Sequence, residues 1–255
     1  MFARSFTLFV SLVFLSNPLT LSAQETEKAP ESPESDAKKE APGNKEAVGT
    51  PKPFGEKDDE GRISLFDGKT LTGWKELEYA GHGETTVEDG ELIIGFGEML
   101  SGIKIAEKPP LTINYEIELE AKRIDGNDFF CGLTFPIKDK HCTLVVGGWG
   151  GGVVGVSSID NMDASENETS SYHNLKDKHW YRIRLRVEDG LIQAWLGKKK
   201  LFSLLTEKRQ LSMRFGEIED SVPLGISTYQ TKAAIRNFTI KPTKKAKAGS
   251  GKSGS

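Results

Sequence analysis

Residues 111–121 read Leu-Thr-Ile-Asn-Tyr-Glu-Ile-Glu-Leu-Glu-Ala, and this stretch decides the fold class. Apolar side chains alternate strictly with polar ones, so that Ile113, Ile117 and Leu119 share one face while the acidic residues share the other. Alternation at period two is typical of a β-strand that has one buried face and one solvated face. The stretch therefore predicts an antiparallel sheet with an apolar inner face and a charged outer face.

A second alternating stretch carries the opposite charge. Residues 180–187 read Trp-Tyr-Arg-Ile-Arg-Leu-Arg-Val, and the turn sequence Glu-Asp-Gly that follows leads into an apolar run at 191–196, which indicates a hairpin. Opposite charges that face each other stabilise a strand pair, so the acidic strand and the arginine strand are predicted to be neighbours. The alternative is a ligand-binding surface, but solvated strand faces usually carry charge, which favours the pairing.

Short strands separated by glycine- and aspartate-rich turns fill the rest of the chain from residue 61. The 255 residues include 27 glycines and 11 prolines, which favours turns and strands over long helices. Only residues 204–209 are compatible with a short helix. The pattern predicts an all-β protein, a sandwich of two antiparallel sheets. The other strands are predicted at 63–66, 85–87, 91–95, 129–135, 142–146, 152–156, 224–229 and 233–241.

The N-terminus resembles a secretory signal peptide over residues 1–23. Arg4 supplies a positive charge, the apolar run FTLFVSLVFL occupies 6–15, and Ala23 stands at the expected cleavage point. No later run is apolar and long enough to span a membrane. We therefore expect a secreted or periplasmic protein with no transmembrane segment after signal cleavage.

Three further segments follow the predicted signal. Residues 24–60 are rich in Glu, Lys, Pro and Ser, and they have too few apolar side chains to offset the entropy of ordering, which predicts a disordered acidic linker. Residues 61–242 are long enough for one core and form the predicted domain. Residues 243–255 are predicted to form a flexible basic tail.

The balance of charge argues against nucleic acid as a partner. Residues 61–242 carry 23 basic and 26 acidic side chains, and the whole chain has a formal net charge of −3. Nucleic-acid-binding surfaces carry a clear excess of Lys and Arg. The basic tail ends in glycine and serine, which is typical of a solvated chain end.

Cys131 and Cys142 are the two cysteines of the chain. Export permits a disulfide between them. If the turn between the two strands is centred on Lys138, Thr134 opposes Cys142 and Cys131 points to the other face. Two buried thiols are therefore favoured over a disulfide, and two cysteines alone are too few ligands for a metal site.

Three motifs resemble those of one known family. Residues 63–75 read Ile-Ser-Leu-Phe-Asp-Gly-Lys-Thr-Leu-Thr-Gly-Trp-Lys, similar to the opening signature LFDGKTLxGW of the 3-keto-disaccharide hydrolase domain family. Residues 87–92, Val-Glu-Asp-Gly-Glu-Leu, resemble its VEDGxL turn, and residues 235–241, Ile-Arg-Asn-Phe-Thr-Ile-Lys, resemble its closing strand. The motifs occur in the family's order across residues 61–242. The chain departs from the family in the middle, where residues 127–136 lack an expected arginine.

The resemblance implies a concanavalin-like (laminin-G-like) jelly-roll sandwich in a secreted bacterial protein that handles carbohydrate. It also implies cleavage of glycosides already oxidised to a ketone at C3 of the sugar. In that chemistry the ketone acidifies the hydrogen on C2, a base removes this hydrogen, and the glycosidic oxygen leaves C1 before water adds. Such a site needs a base, a stabiliser for the enolate oxygen and an acid for the leaving group.

Three side chains are candidates for the catalytic base. Asp128 precedes an aromatic strand, His141 begins the strand after the turn Lys-Asp-Lys, and Glu166 belongs to a polar loop. The alternative for Asp128 is a turn-capping role, and the alternative for His141 is an ordinary surface position. No Ser-His-Asp or Cys-His arrangement follows from the spacing, and the histidines lack the spacing of a zinc site.

The densest polar cluster occupies residues 160–168, after the glycine-rich strand. Asp160, Asn167 and Glu168 are candidates for sugar binding, because loops at the rim of a sheet commonly carry binding residues. Asp160 and Asp163 are also candidate ligands for Ca²⁺, which prefers carboxylate and carbonyl oxygens. A third interpretation is a solvated loop without a ligand. Ca²⁺ is the one cofactor that the sequence suggests.

Trp149 lies in the most unusual run of the chain, Gly-Gly-Trp-Gly-Gly-Gly at 147–152. The run is not a phosphate loop, because no Gly-Lys-Ser or Gly-Lys-Thr follows it. Glycines allow a flat ligand to approach closely, so Trp149 is a candidate for stacking on a sugar ring. The alternative is that Trp149 packs in the core while the glycines form bulges. Trp74 and Trp195 are expected in the core.

Three functions are compatible with these features. The first is a secreted hydrolase or lyase that acts on 3-keto-glycosides, with carbohydrate as its partner. The second is a non-catalytic carbohydrate-binding module, which the missing central motif favours. The third is an envelope-interaction domain that the acidic linker holds away from the cell. The same sandwich serves all three, so the fold alone does not separate them.

Overall fold

The structure is a computed structural model that describes residues 52–243. The predicted signal peptide, most of the predicted linker and nearly all of the predicted basic tail lie outside the described residues. Within 52–243, no helix is long and apolar enough to cross a membrane. In chain order the strands are β1 (Ile63–Ser64), β2 (Trp74–Glu76), β3 (Thr85–Glu88), β4 (Glu91–Ile94), β5 (Leu100–Ile105), β6 (Tyr115–Gly126), β7 (Cys131–Ile137), β8 (Lys140–Gly147), β9 (Val153–Ser157), β10 (Ser171–Tyr172), β11 (Tyr181–Glu188), β12 (Leu191–Leu196), β13 (Lys199–Leu205), β14 (Gly225–Tyr229) and β15 (Thr231–Pro242).

The strands form two antiparallel sheets that share one core, which confirms the predicted all-β sandwich. The first sheet has the order β13-β12-β11-β6-β15-β4-β3, and β1 also pairs with β15. The second sheet has the order β10-β9-β8-β7-β14-β5-β2. Buried side chains from the inner faces of both sheets form a single hydrophobic cluster, including Ile117 of β6 and Leu144 of β8. Two sheets that bury their apolar faces against each other satisfy the alternating pattern of the strands.

The acidic strand and the arginine strand are neighbours, as the sequence predicted. In the antiparallel pair of β6 and β11, Arg182 lies opposite Glu120, Arg184 opposite Glu118 and Arg186 opposite Glu116. Arg186 donates from Nε and Nη2 to Oε2 of Glu116, at 3.0 and 2.7 Å. The charged rows therefore stabilise the outer face of the first sheet.

The tryptophans divide between the core and this outer face. Trp74 is 7% exposed and stacks on Phe238 with ring centroids 5.3 Å apart, so the predicted core position is confirmed. Trp195 is buried too, but it lies on the outer face, where the guanidinium of Arg184 covers its ring at 4.2 Å. The predicted burial of Trp195 is confirmed, although Arg184 covers its ring on the outer face and Trp195 is not part of the main cluster between the sheets.

One predicted strand boundary and one predicted helix differ from the observed structure. The strand predicted from residue 111 begins at Tyr115, because Asn114 adopts a left-handed φ of 55° that interrupts the extended chain. The helix predicted at 204–209 is absent from the described chain, and β13 continues through Leu205. A 3₁₀ helix lies instead at Glu217–Ser221, and one further turn occupies Gly148–Gly151.

The domain begins before residue 61. Within the segment assigned to the linker, Gly55 donates its backbone N–H to the carbonyl of Ser64 at 2.8 Å, and Ser64 donates to the carbonyl of Glu56 at 3.0 Å. Phe54 packs against the main core. Phe54, the first aromatic residue after residue 23, supplies the apolar area that the preceding stretch lacks.

The two cysteines are free, buried thiols, which confirms the favoured interpretation. The predicted register was wrong by one position, because the turn has two residues and Phe135, not Thr134, lies opposite Cys142. Both thiols therefore point into the core. Cys131 lies opposite Val146, about 14 Å along β8 from Cys142, which is too far for a disulfide. Burial raises the pKa of each thiol to about 12.

Candidate functional site

A cleft of about 440 Å³ lies on the outer face of the second sheet, and we call it the outer cleft. Along β8, Leu144 and Val146 point into the core, so the intervening Val145 points to the opposite face and into this cleft. A cleft of this size can hold a small-molecule ligand. Its lining consists of Met99, Leu100, Asp128, Phe129, Thr143, Val145, Trp149, Ser157, Arg214, Phe215, Glu217, Ile218 and Tyr229.

One wall of the outer cleft comes from residues 206–223, which we call the crossing segment. Ser212 and Ser158 exchange backbone hydrogen bonds of 2.9 and 3.2 Å beyond the end of β9. Further along, the hydroxyls of Ser221 and Thr134 are 2.6 Å apart over β7. The segment therefore passes across several strands of the second sheet, and it carries Phe215, which is 92% exposed, at the edge of the cleft.

The glycine-rich turn holds Trp149 on the wall of the outer cleft. The turn follows β8 directly, and Trp149 has left-handed backbone angles of φ 49° and ψ 56°. Its side chain is 42% exposed and lines the cleft, so it is not packed in the core. An exposed indole beside a cleft is suited to stacking on a sugar ring, and this role stays a prediction.

Asp128 links the glycine-rich turn to the start of β7 by two hydrogen bonds. Its Oδ1 accepts the backbone N–H of Phe129 at 2.8 Å, and its Oδ2 accepts the backbone N–H of Gly150 at 3.0 Å. The first bond is local, but the second reaches across to the residue after Trp149. Charge-assisted bonds of this kind are stronger than neutral ones, so Asp128 orders the turn that presents Trp149.

Arg123 also supports the glycine-rich turn, and it was not among the predicted site residues. Its Nη2 donates to the carbonyl of Gly151 at 2.8 Å, and its Nε lies 3.4 Å from Oδ1 of Asp177. Gly151 has a φ of 103°, which residues with a Cβ rarely adopt, and this backbone conformation explains a glycine there. The sequence does contain an indication of this role, because Arg123 continues the inward-facing positions of β6 after Ala121. A charged side chain in such a position needs a specific partner.

Glu217 is the second carboxylate of the outer cleft. It begins the 3₁₀ helix, and its side chain makes no hydrogen bond or salt bridge to any other residue in 52–243. Burial raises the pKa of the nearby Tyr79 to about 12. The negative charges of Asp220 and Glu217 make smaller contributions in the same direction. Glu217 is therefore a carboxylate that is available to a ligand.

Arg214 supplies the positive charge of the cleft. Its Nη1 lies 3.2 Å from Oδ2 of Asp163, and Oδ1 of Asp163 accepts the hydroxyl of Ser157 at 3.0 Å. Asp163, a predicted metal ligand, thus links Arg214 to Ser157, and both of these residues line the outer cleft. More than half of the Arg214 side chain remains accessible to solvent.

Asp160 and Glu168 of the polar loop pair with Arg209. Oδ2 of Asp160 accepts Nε of Arg209 at 2.6 Å, its Oδ1 accepts the backbone N–H of Gln210 at 2.7 Å, and Glu168 pairs with Nη1 of Arg209. The Gln210 hydrogen bond and the Arg209 partner hold the pKa of Asp160 below its usual range. Neither carboxylate lines the cleft.

The rest of the polar loop is held by its own side chains. Asn167 is buried and donates from Nδ2 to the carbonyls of Val156, Met162 and Asp163, at 2.8, 3.1 and 2.7 Å. Oε2 of Glu166 accepts the backbone N–H of Asp163 at 3.2 Å. Neither side chain lines the outer cleft. In the part of the chain described here, no three His, Cys, Asp or Glu side chains converge as metal ligands would.

His141 lies on β8 opposite Pro136 and outside the lining of the outer cleft. It is half-buried, and burial lowers its pKa from the usual 6.5 against a smaller opposing effect of Asp139. Burial, with a smaller effect of Lys199, also lowers the pKa of His173. Since the folded state favours the neutral rings, the unfolded chain takes up protons first as the pH falls below 6.5.

We therefore expect the stability of the protein to fall between pH 7.5 and pH 5, and His141→Gln to reduce that loss. The stability contributed by His141 is present above its unfolded pKa and is lost as the pH falls through its folded pKa. Urea unfolding at several pH values measures the effect, and His173→Gln gives an independent second variant. An unchanged pH dependence in the double variant would contradict the expectation.

Comparisons with known proteins give one family match and several distantly similar solved structures. Residues 61–241 match the model of a 3-keto-alpha-glucoside-1,2-lyase-like domain. A candidate glycosyl hydrolase from Parabacteroides distasonis is similar at 18% identity and a TM-score of 0.47, covering 72% of this chain and 95% of that one. The carbohydrate-binding module CBM66 from Bacillus subtilis is similar at 13% identity and a TM-score of 0.43, covering 67% and 96%. No curated protein matches the chain.

Proposed function

Because this chain belongs to the 3-keto-alpha-glucoside-1,2-lyase-like domain family, a family of carbohydrate-active domains, we propose that it cleaves 3-keto-glycosides in the outer cleft. The observation that carries the proposal is the cleft itself, which combines an exposed indole, two carboxylates and an arginine. Aromatic faces and a few placed polar groups are what a sugar site requires. Asp128, one of the three residues predicted to act as base, lines this cleft, whereas His141 and Glu166 do not.

In the proposed complex the oxidised sugar ring lies against Trp149. The apolar face of a pyranose stacks on an indole, while its hydroxyls and ketone oxygen bond to polar groups. Arg214 and the hydroxyls of Thr143 and Ser157 provide such groups in the same cleft. Asp128 has both carboxylate oxygens bonded to backbone N–H groups, so its proposed role is to position Trp149.

Glu217 is the proposed general base, because its carboxylate has no partner among the described residues. The ketone at C3 acidifies C2–H, Glu217 accepts this proton, and the electron pair moves into the enolate with its negative charge on the C3 oxygen. Arg214 is the cation of the cleft that can stabilise this charge. The enolate then expels the glycosidic oxygen from C1, and this oxygen takes a proton as it leaves. Water adds across the resulting C1–C2 double bond, so the net reaction is hydrolysis.

A second candidate function is carbohydrate binding without cleavage. The engagement of both Asp128 oxygens in holding the Trp149 turn favours it, since this carboxylate then serves a binding surface.

Export to the periplasm or out of the cell also stays a proposal, which rests on the signal-like residues 1–23. Glycosides would be encountered in either place.

The test is incubation of the protein with 3-keto-glucosides while the anomeric signals are followed by NMR. We expect the release of the aglycone and of the free 3-keto sugar, and incorporation of deuterium at C2 when the reaction runs in D₂O. Binding of unoxidised glycans without any product would select the non-catalytic function. Neither binding nor turnover with any glycoside would reject both, and a structural role would then remain.

A further inference from the structure

The outer cleft has two chemically different ends. Ser157 on β9 and Thr143 on β8, with Arg214 beside them, make one end polar. Leu100 on β5 and Tyr229 on β14 make the other end apolar. β9 and β5 are four positions apart in the second sheet, which corresponds to about 19 Å. A ligand that fills the cleft therefore spans both environments.

The apolar end is built on a packed hydrophobic cluster. Leu77, Tyr79 and Leu100 form a second core cluster of their own, and Phe129, Ile218 and Tyr229 pack against it. The rings of Phe129 and Tyr229 lie 5.9 Å apart with an angle of 30° between their planes. Such a pair presents an apolar surface without the cost of ordering flexible side chains.

This end also offers few hydrogen bonds to a ligand. The hydroxyl of Tyr229 is engaged with the sulfur of Met99 at 3.4 Å, and the side chains of Met99, Leu100, Phe129 and Ile218 are hydrocarbon or thioether. A second sugar ring placed here would lose the hydration of its hydroxyls without finding partners, at a cost for each. An alkyl or aryl group would instead gain from burial. Met99 is 47% exposed, so it has area left to cover.

Resting on the proposed function, we propose that the preferred substrate is a glycoside with an apolar aglycone, which binds at Met99, Leu100 and Tyr229. The oxidised sugar then occupies the polar end, and the glycosidic bond lies between the two ends. Glu217 adjoins Ile218 of the apolar end, and Arg214 of the polar end precedes it by three residues. This order places the base near the junction between the sugar and the aglycone.

The experiment compares methyl, butyl and hexyl glucosides, whose leaving groups have nearly equal acidity, with a glucosyl disaccharide. Calorimetry on the unoxidised series gives Kd, and NMR on the 3-keto series gives kcat/KM. We expect Kd to fall by up to about fourfold for each methylene that is buried. We expect the disaccharide to bind more weakly than hexyl glucoside. Met99→Gln, which keeps the length of the side chain, should flatten the dependence on chain length.

Phe96→Gln is the matched control, because Phe96 is 51% exposed and does not line the outer cleft. It should leave the series unchanged. Equal affinities along the alkyl series, or tighter binding of the disaccharide, would overturn the apolar site even if 3-keto-glycosides are cleaved. A chain-length dependence that Met99→Gln abolishes, without turnover of any 3-keto compound, would uphold the apolar site while rejecting the cleavage.

Discussion

Replacing Glu217 by glutamine is expected to lower kcat for cleavage of a 3-keto-glucoside by about 10²–10⁴-fold, the usual contribution of a general base. Glutamine keeps the size of the side chain but cannot accept the C2 proton. Because Glu217 is exposed and makes no hydrogen bond or salt bridge within residues 52–243, the fold should not change. Deuterium exchange at C2 should fall with kcat, since both depend on the same proton transfer.

Two variants separate this role from a general effect of charge. Glu219→Gln removes a carboxylate from the same 3₁₀ helix but outside the lining of the outer cleft, and it should retain full activity. Asp128→Asn should raise KM more than it lowers kcat, because it loosens the turn that carries Trp149. If Asp128→Asn abolishes C2 exchange and Glu217→Gln does not, the assignment of the base is reversed.

Replacing Phe238 by alanine is expected to lower the free energy of unfolding by about 3–5 kcal/mol. Phe238 is 1% exposed and stacks on Trp74, whose Nε1 donates to the carbonyl of Leu65 at 2.6 Å. The backbone carbonyl of Phe238 also accepts the N–H of Leu65 at 2.8 Å. Removal of the ring leaves a cavity between β15 and the segment that carries Leu65 and Trp74. The closely packed side chains around this cavity cannot move freely to fill it.

Urea unfolding measures this loss, with Phe215→Ala as the control. The same side chain is removed there, but Phe215 is 92% exposed, so the change should stay within about 0.5 kcal/mol. Equal effects of the two substitutions would show that burial in the core does not determine the contribution of Phe238.

Strict alternation of side chains along β15 does not predict that Phe238 is buried. In the run Ile235-Arg-Asn-Phe-Thr-Ile240, strict alternation places Phe238 on the face opposite Ile235, yet both are buried. The register of β15 against β6 shifts between Arg236 and Thr239, and Asn237 adopts a φ of 55°. This bulge adds one residue and returns Phe238 to the core. A bulge depends on both strands, so one strand alone does not reveal it.

Some of the predicted site residues line the outer cleft and others do not. Trp149 and Asp128 were identified from their local sequence, and the structure brings both to the outer cleft. Asp160 and Glu168, chosen because polar residues cluster along the chain, instead pair with Arg209, more than forty positions further on. Glu217 was missed because a lone glutamate after a glycine has no distinctive pattern in a sequence.

By itself, the sequence determined the all-β class, the pairing of the charged strands, the opening signature and the family, because each depends on short-range periodicity or on a local motif. The tertiary structure alone decided which side chains share a cleft. Met99, Trp149 and Glu217 come from distant parts of the chain, and the order of strands in the second sheet and the path of the crossing segment bring them together. Contacts of this kind are set by the packing of the whole sandwich, which no single stretch of sequence encodes.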